Sequence, residues 1–407
     1  MNISLSNILL FALSIPFVMT YRISPGDTPF LLFGLIFLAL LLYVVLDITK
    51  IKEALYFKYK QIILWFIIFA TVGAGFYSAI IVRHNVAPIY QIHDIVLQQE
   101  AAVRFILDGK NPYSTTYFGT PMEQFNYSDT EVNPALYHFV MEPFYLLFTL
   151  PFYYVSVHTI GFFDGRIPLF LLFLSTLIFA SVLTKDKEKR LLFLTLLVFN
   201  PAMLGYTLEG RSDMFMFGFL FPALFFLYKG KYSLGGFFMA LAFAVKQSVW
   251  PIFPFYFLFL YFKNKSFVKI IKNLSVFAIT FAILVVPFFL WNQKAFIDST
   301  ISYLSGSTLH SYPISGYGFG ALLSQWGFIK DVDAYFPFTL IQVAISIPLM
   351  FLMYKYFKKN PTVKTLIILY GIFLFIFWYF SRYFNNSHLG YLSMVFITAY
   401  FWPEDRS

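Results

Sequence analysis

Long apolar runs alternate with short polar loops along the chain. The first three runs, at about 3–21, 28–48 and 61–82, each reach the roughly 20 residues that a helix needs to cross a bilayer. Later runs lie near 136–160, 167–183, 191–207, 211–228, 233–247, 248–262, 268–291, 336–356, 363–380 and 388–402. The pattern predicts an all-α, polytopic helical membrane protein with about 11 to 13 spans.

Composition agrees with this class and limits the chemistry. Hydrophobic residues make up 59% of the 407 residues and charged residues 12%, which excludes a soluble globular protein. The chain has no cysteine, so disulfide bonds, thiolate metal sites and cysteine nucleophiles are excluded. No Walker loop, dinucleotide fingerprint or HExxH motif occurs, and no cofactor or metal site is predicted.

The basic residues orient the chain in the membrane. The net charge is +9, but 18 of the 29 lysines and arginines fall in five loops, which indicates a positive-inside signal rather than a nucleic-acid partner. The loops predicted to be cytoplasmic are 50–60, 185–190, 229–231, 263–272 and 355–364. The intervening loops then face outward, and we predict an integral protein of the cell membrane whose active site lies on the outer face.

The outer loop 83–135 is the longest polar interruption. It contains six acidic residues (Asp94, Glu100, Asp108, Glu123, Asp129 and Glu131) and only three basic ones (Arg83, Arg104 and Lys110). Ile95 to Leu107 predicts a short amphipathic helix at the membrane surface, with Glu100/Arg104 and Arg104/Asp108 spaced i,i+4 and a stop at Gly109. We divide the chain into an amino-terminal two-span extension, 1–60, and a main transmembrane domain, 61–407.

The span count between 136 and 183 is ambiguous. Two apolar runs there give an even number of crossings, whereas passage from the outer loop to the basic loop 185–190 needs an odd number. The first run contains Pro143 and Pro151, so it is expected to be re-entrant or interfacial, or to break into two crossings.

Asp94, which follows His93 at the start of the outer helix, has two interpretations. A carboxylate at this position is a good N-cap, with His93 then a surface residue. A carboxylate at the boundary of water and lipid is also a candidate general base toward a hydroxyl group.

Three further groups of polar residues border the apolar runs. Glu209, Arg211 and Asp213 lie within five residues and form either a mutual ion-pair network or part of a functional site. Lys246, next to Gln247 in an otherwise uncharged run, either snorkels to the interface or meets an anion such as a phosphate. A short hairpin between the last two spans adds a cation, Arg382, and a titratable donor, His388.

Together these segments resemble the glycosyltransferase C superfamily, which comprises polytopic enzymes that use polyprenyl-phosphate-linked sugars. The resemblance covers about residues 75–262, with weaker similarity at 380–390. In the outer loop it is carried by the early aspartate, GKNPY at 109–113 and NPALY at 133–137 leading to Pro143; beyond it, FNP at 199–201, GRSD at 210–213 and AVKQ at 244–247 are similar to the branch with polyprenol-phosphate-mannose-dependent enzymes. Two spans precede the span that leads into the aspartate loop, where that branch commonly has one, and Asn133-Pro134 replaces the usual Tyr-Pro-Pro.

The resemblance implies a hexosyltransferase that transfers a sugar, such as mannose, from a polyprenyl-phosphate donor to a lipid-linked or glycan acceptor with inversion. Asp94 is then the catalytic base. The predicted donor-phosphate ligands are Lys246, Arg211, Arg382 and His388, and the predicted substrate-binding residues are His93, Glu100, Glu209, Asp213 and Gln247. A transporter or flippase of lipid-linked sugars and a non-catalytic subunit of a glycan assembly complex are the alternatives.

Overall fold

A computed structural model describes residues 3–20, 29–126, 132–264 and 266–404. The described residues do not include Asp129 and Glu131 of the outer loop, nor Ser128, a position suited to labelling from outside. They also do not include Lys265 in a basic loop. The regular secondary structure of the described chain is almost entirely helical, in agreement with the predicted all-α class.

The α-helices are α1 Leu5–Thr20, α2 Phe30–Ile48, α3 Glu53–Ile68, α4 Ala74–Val86, α5 Asp94–Leu107, α6 Phe144–Leu147, α7 Leu150–Thr159, α8 Arg166–Leu183, α9 Lys187–Val198, α10 Leu204–Leu208, α11 Ser212–Tyr228, α12 Tyr232–Phe243, α13 Phe253–Lys263, α14 Phe267–Trp291, α15 Gln293–Ile297, α16 Tyr303–Ser305, α17 Phe319–Gln325, α18 Phe338–Lys359, α19 Val363–Tyr379 and α20 Asn386–Phe401. Short 3₁₀ helices occupy Pro121–Gln124, Pro134–Leu136 and Gln247–Ile252, and π-helical turns occupy Phe69–Gly73 and Asp298–Ser302. Two short parallel strands, β1 Ser315–Gly316 and β2 Tyr383–Phe384, pair with each other.

Five helices of the described chain are long and apolar enough to cross a membrane. They are α2, the continuous helix formed by α3, the π turn and α4 (Glu53–Val86), and α8, α14 and α18. Four shorter apolar helices, α1, α11, α12 and α19, have 10 to 17 residues. Several apolar runs of the sequence therefore form helices shorter than the runs themselves.

α11 lies at the centre of the bundle. Nearly all of its residues are buried, and it packs mainly against α8 and α12 and also contacts α20. Gly218 allows the close approach of α8, because a Cβ atom there would lie 2.9 Å from Leu172.

The amino-terminal hairpin packs on this bundle and shares its core. α1 contacts α9, and the backbone N–H of Ser6 donates to Glu188 at 3.0 Å. Lys60, which the charge pattern placed in a cytoplasmic loop, is instead fully buried within α3 and forms an ion pair with Asp47 at 2.6 Å. The Tyr43 ring lies 4.5 Å from its ammonium group, so buried partners replace the water that a loop position would supply.

The first run of the ambiguous region, 136–160, forms the short helices α6 and α7. At 1.5 Å per residue the ten residues of α7 extend only about 15 Å, half the hydrocarbon thickness. α8, by contrast, has the length and hydropathy of a span. The re-entrant or interfacial interpretation therefore fits the structure, and the interpretation with two crossings in this run does not.

The outer helix α5 begins at Asp94 and ends before Gly109, close to the predicted bounds, but it does not lie on the surface. Its first ten residues are buried, including Gln98, Gln99 and Glu100. The Glu100 side chain pairs with Arg83 rather than with Arg104, which donates to the Glu100 backbone carbonyl at 3.2 Å. The predicted surface-lying helix is therefore wrong: α5 is an inner element that carries buried polar groups.

Candidate functional site

A cavity of about 620 Å³ opens among α5, α11, the 3₁₀ turn after α12, α19 and the hairpin before α20. We call it the large cavity. Of the ten residues predicted to form the site, eight line it: His93, Asp94, Arg211, Asp213, Lys246, Gln247, Arg382 and His388. These residues come from four separate parts of the sequence, and the fold brings them together around one cavity.

Asp94 and His93 form a pair at the start of α5. The N-cap of α5 is His93, so the N-cap interpretation of Asp94 is wrong, and Asp94 is the first helical residue. His93 Nδ1 lies 2.6 Å from Asp94 Oδ1 and 3.3 Å from the Ile95 amide nitrogen. One nitrogen cannot donate to the first and accept from the second, and we assign the proton to Nδ1 because the contact to the carboxylate is shorter and charge-assisted. This bond orients the Asp94 carboxylate.

Lys246 meets an anion supplied by the chain itself. Its Nζ lies 2.7 Å from Asp213 Oδ1, and the lysine side chain keeps 18% of its surface exposed. The snorkelling interpretation and the unpartnered ammonium are therefore both replaced by an ion pair between α11 and the turn after α12. A lysine ammonium has three donors, so the pair leaves Lys246 able to contact a second anion.

Arg211 lies on the rim as the N-cap of α11. Its guanidinium stacks over the Tyr206 ring at 4.3 Å and its Nε is 3.5 Å from a Glu209 carboxylate oxygen. Glu209 itself is 44% exposed at the side chain and does not line the cavity, so it partners Arg211 from outside. Its backbone carbonyl accepts the His93 N–H at 2.8 Å, which ties the two loops together.

Arg382 is engaged by the backbone. Its guanidinium donates to the carbonyls of Tyr312, Val332, Asp333 and Ala334, so most of its N–H donors hold the loop between α14 and α18. Direct contact with a phosphate is therefore a poor assignment for Arg382, although it lines the cavity. Gly306 packs on the guanidinium, since a Cβ atom there would lie 2.4 Å from Arg382 Nη1.

His388 and Gln247 have defined hydrogen-bonding roles. His388 Nδ1 accepts the Asn385 N–H at 2.9 Å, so a neutral ring carries its proton on Nε2. Gln247 Nε2 donates to the carbonyls of Val140 and Thr300, at 2.9 and 3.0 Å. Gln247 therefore links these two segments through its amide nitrogen, and its side-chain carbonyl oxygen can accept from another partner.

Glu100 belongs to a separate buried network, which corrects its assignment to substrate binding. Arg83 contacts both Glu100 carboxylate oxygens, at 2.7 and 2.8 Å, and Asp164 at 2.9 Å. Arg166 closes the network on Asp164 at 2.8 Å. Burial opposes the ionisation of Asp164, but the two arginines outweigh it and hold the pKa of this carboxyl below its ordinary value. We call these four residues the ion network.

Sequence reasoning missed several neutral residues of the large cavity. Gln98 donates to the carbonyls of Ala135 and His138, and Asn385 donates to the Tyr312 hydroxyl at 3.2 Å. Burial and, secondarily, the Asp94 charge raise the pKa of the Tyr312 phenol. A signal was present in the Gln98 amide and the tyrosines of the 292–335 loop, but neutral polar groups are common in loops and only the fold directs them to one place.

A second set of residues that lines the large cavity is apolar; we call this set the apolar half and the charged lining residues described above the charged half. The apolar half consists of Trp250, Pro251, Pro254, Phe338, Phe373, Phe377 and Trp378. α18, which contributes Phe338 to this half, is mostly exposed along its length, and so is α14. The cavity thus joins a charged half, with two carboxylates and three cationic side chains, to an apolar half beside helices suited to lipid contact. Among the described residues no group of three or more histidine and carboxylate side chains could hold a metal ion.

The fold is that of a helical protein in which several helices are long and apolar enough to span a membrane. Its large cavity is lined by both charged and apolar side chains. No protein-family model matches the chain, and neither a curated protein nor a solved structure matches it.

Proposed function

We propose that the protein is a polytopic membrane glycosyltransferase that transfers a hexose from a polyprenyl-phosphate donor to a lipid-linked or glycan acceptor. The observation that carries this proposal is the large cavity, where Asp94 with its His93 partner shares one space with Lys246, Arg211 and an apolar wall. A lipid phosphate sugar has the same division into a charged head and an apolar tail. The sequence resemblance to the glycosyltransferase C superfamily supports the same class.

The charged half suits a direct displacement. The Asp94 carboxylate accepts the proton of the acceptor hydroxyl as that oxygen bonds to the anomeric carbon. The bond from the anomeric carbon to the phosphate oxygen breaks, the electron pair leaves with the phosphate, and the anomeric configuration inverts. Lys246 and Arg211 stabilise the departing phosphate charge. His93 holds the carboxylate in position and stabilises its negative charge until the proton arrives.

The apolar half suits the tail of the donor. Phe373, Phe377 and Trp378 lie on α19 and Phe338 begins α18, so a prenyl chain next to the head group would contact aromatic side chains rather than water. The tail would extend along α18, whose exposed apolar residues include Leu340 and Ile347. Arg382 holds the 312–334 loop through its carbonyl contacts, and Tyr312 of this loop lines the cavity.

The direct test is incubation of purified protein with a panel of radiolabelled polyprenyl-phosphate sugars and with membrane extracts as acceptor. Asp94→Asn should reduce turnover by about a hundredfold or more, because the proton acceptor is lost while size and shape are kept. Donor binding, measured by equilibrium dialysis, should survive. Asp108→Asn is the matched control, since Asp108 lies on the exposed end of the same helix.

Near wild-type turnover by the Asp94→Asn protein would remove Asp94 from the base role. Failure of every donor in the panel to give product would count against transfer and favour the flippase alternative. That alternative predicts that protein in vesicles moves a lipid-linked sugar across the bilayer. The large cavity shares no lining residue with another cavity, of about 850 Å³, that is lined by residues such as Lys229 and Lys364, which supports chemistry on one side over passage through the bundle.

A further inference from the structure

A second polar cavity, of about 850 Å³, lies at the other ends of the helices that form the large cavity. α11 contributes Asp213 near its start to the large cavity and Tyr228 at its end to the second one. α20 likewise contributes His388 to the first and Phe401 to the second. α19 runs the opposite way, with Trp378 near its end in the large cavity and Lys364 near its start in the second. The two cavities therefore open at opposite ends of one bundle.

Five lysines from four segments of the chain surround this second cavity, which we call the lysine cavity: Lys185, Lys189, Lys229, Lys263 and Lys364. Two acidic residues, Asp186 and Glu404, also line it, so cations dominate. The Asp186 side chain accepts the backbone N–H of Lys189 at 3.1 Å as the N-cap of α9, which gives this carboxylate a structural use. The lining favours an anion with several charged oxygen atoms.

The lysine cavity continues sideways onto a lipid-compatible surface. A cleft of about 440 Å³ shares Lys189, Lys364 and Tyr400 with it, and Ile368, Phe396 and Ala399 complete the lining of that cleft. Tyr400 is 75% exposed and Phe396 is 40% exposed, although both lie on an apolar helix. An amphiphile could therefore place a charged head among the lysines and apolar chains against α20.

Trp402 adds an unused donor. Its side chain is 1% exposed and lines the lysine cavity, yet its indole Nε1 has no hydrogen-bond partner in the described part of the chain. The ring is held by Phe221 and Tyr228, at 5.6 and 6.1 Å between centroids. A buried N–H without a partner costs free energy, and an acceptor oxygen of a bound anion would satisfy it.

We propose that the lysine cavity binds the phosphate head group of an anionic membrane lipid, which enters between α9, α19 and α20 through the cleft at Lys189 and Lys364. The site is independent of the proposed sugar transfer, because it lies at the opposite end of the bundle and uses other residues. Phosphate oxygens accept from the ammonium groups and from Trp402 Nε1, and the acyl chains lie against Phe396 and Tyr400. A basic cavity between helices on the lysine-rich face is suited to such lipids.

The test is native mass spectrometry of the detergent-purified full-length protein with phosphatidylglycerol, phosphatidylcholine or inorganic phosphate added. Phosphatidylglycerol should bind with defined stoichiometry and phosphatidylcholine should not. Lys189→Gln combined with Lys364→Gln should weaken phosphatidylglycerol binding by about a hundredfold, because two charge-assisted contacts are lost. The matched control, Lys358→Gln with Lys359→Gln, removes the same charge from exposed positions at the end of α18 and should leave binding within about threefold.

Equal weakening by the two double variants would show general attraction to a basic face and would overturn the site. Displacement of phosphatidylglycerol by an equal concentration of inorganic phosphate would assign the site to a soluble phosphate and overturn the lipid occupant. If the Lys189/Lys364 double variant does not fold, Lys364→Gln alone and Trp402→Phe replace it. Each should weaken phosphatidylglycerol binding by about tenfold, and unchanged binding in both would also overturn the proposal.

Discussion

The cations of the large cavity differ in how many of their hydrogen-bond donors already have partners within the chain. Arg382 gives four donors to backbone carbonyls, and Lys246 shares its charge with Asp213. Arg211 is held more loosely, by one long contact to Glu209 and by stacking on Tyr206. If the cavity holds a donor phosphate, Arg211 is the cation with the most freedom to follow the phosphate as it departs.

Arg211→Gln should raise the donor concentration for half-saturation by about tenfold to a hundredfold, which corresponds to the loss of one charge-assisted hydrogen bond of about 1.5–3 kcal/mol. The acceptor half-saturation should change little. Initial rates at varied donor and acceptor concentrations separate the two effects. Arg104→Gln, on an exposed position of α5, is the control. A variant that alters acceptor saturation alone would place Arg211 on the acceptor side.

Glu142 is a second residue whose environment makes a measurable prediction. Its side chain is fully buried, both carboxylate oxygens lack hydrogen-bond partners in the described structure, and burial raises its pKa to about 8. The unfolded chain ionises near the ordinary value, so between about pH 4.5 and 8 the unfolded state gains charge that the folded state lacks. The free energy of unfolding should therefore fall by up to about 1.4 kcal/mol per pH unit in that window.

Glu142→Gln removes this titration and keeps the shape of the side chain. Thermal unfolding in detergent from pH 4.5 to 8 should show a smaller loss of stability for the variant than for wild type. Parallel curves for the two proteins would mean that Glu142 ionises in the folded state with an unshifted pKa. Glu123→Gln, at an exposed position of the 3₁₀ turn after Thr120, is the control.

The cluster of site residues was predictable at this scale, but most of their partners were not. Arg211 and Lys246 were predicted because charged residues beside apolar runs are costly without a use, and Asp94 was predicted from its position at the start of the outer helix and from the family resemblance. The Asp213 partner of Lys246 lies 33 residues away in sequence, and the carbonyls that hold Arg382 lie 48 to 70 residues away. Such contacts depend on the packing of the bundle, which local pattern does not encode.

At the scale of secondary-structure elements, the hydropathy pattern located the apolar segments but did not predict where the helices begin and end. The run at 61–82 belongs to a helix of 34 residues, because buried Asp47 neutralises Lys60 and allows the charge inside it. The run at 191–207 instead breaks at Asn200-Pro201 into α9 and α10. Proline and paired charges alter helix length without altering mean hydropathy.

The ion network is the element-scale device that positions α5, and therefore Asp94. It joins α4, α5 and the start of α8 through two carboxylates and two guanidinium groups. Arg83→Met should destabilise the protein by about 3–5 kcal/mol, because Glu100 is then left charged and buried without its main partner.

Combining Arg83→Met with Glu100→Met should recover a large part of that loss, because no buried charge remains unpaired at Glu100. Melting temperatures of the single and double variants in one detergent measure the coupling. Arg104→Met, which removes an exposed cation from α5, should shift the melting temperature little. Additive losses in the double variant would mean that the two side chains do not act as a pair.

For the whole molecule, the two cavities make the predicted sidedness internally consistent. Residues from four of the five loops predicted to be cytoplasmic meet at the lysine cavity: Lys185 and Lys189, Lys229, Lys263, and Lys364. Residues predicted to lie on the outer side meet at the large cavity instead, among them Asp94, Arg211 and Arg382. Charge bias predicted this grouping, because it sorts loops by side independently of the exact number of spans.

This grouping leads to a labelling experiment on intact cells. A cysteine at Ser114, exposed in the outer loop, should react with an impermeant thiol reagent, and a cysteine at Asn360, exposed after α18, should react only after the membrane is permeabilised. The chain has no native cysteine, so each signal comes from one position. Because the two cavities occupy opposite ends of α11, α19 and α20, one orientation fixes both. If intact cells label the Asn360→Cys protein and not the Ser114→Cys protein, the orientation in the membrane is the reverse of the predicted one. Asp94 would then lie on the cytoplasmic side, and the sugar donor would have to be available there.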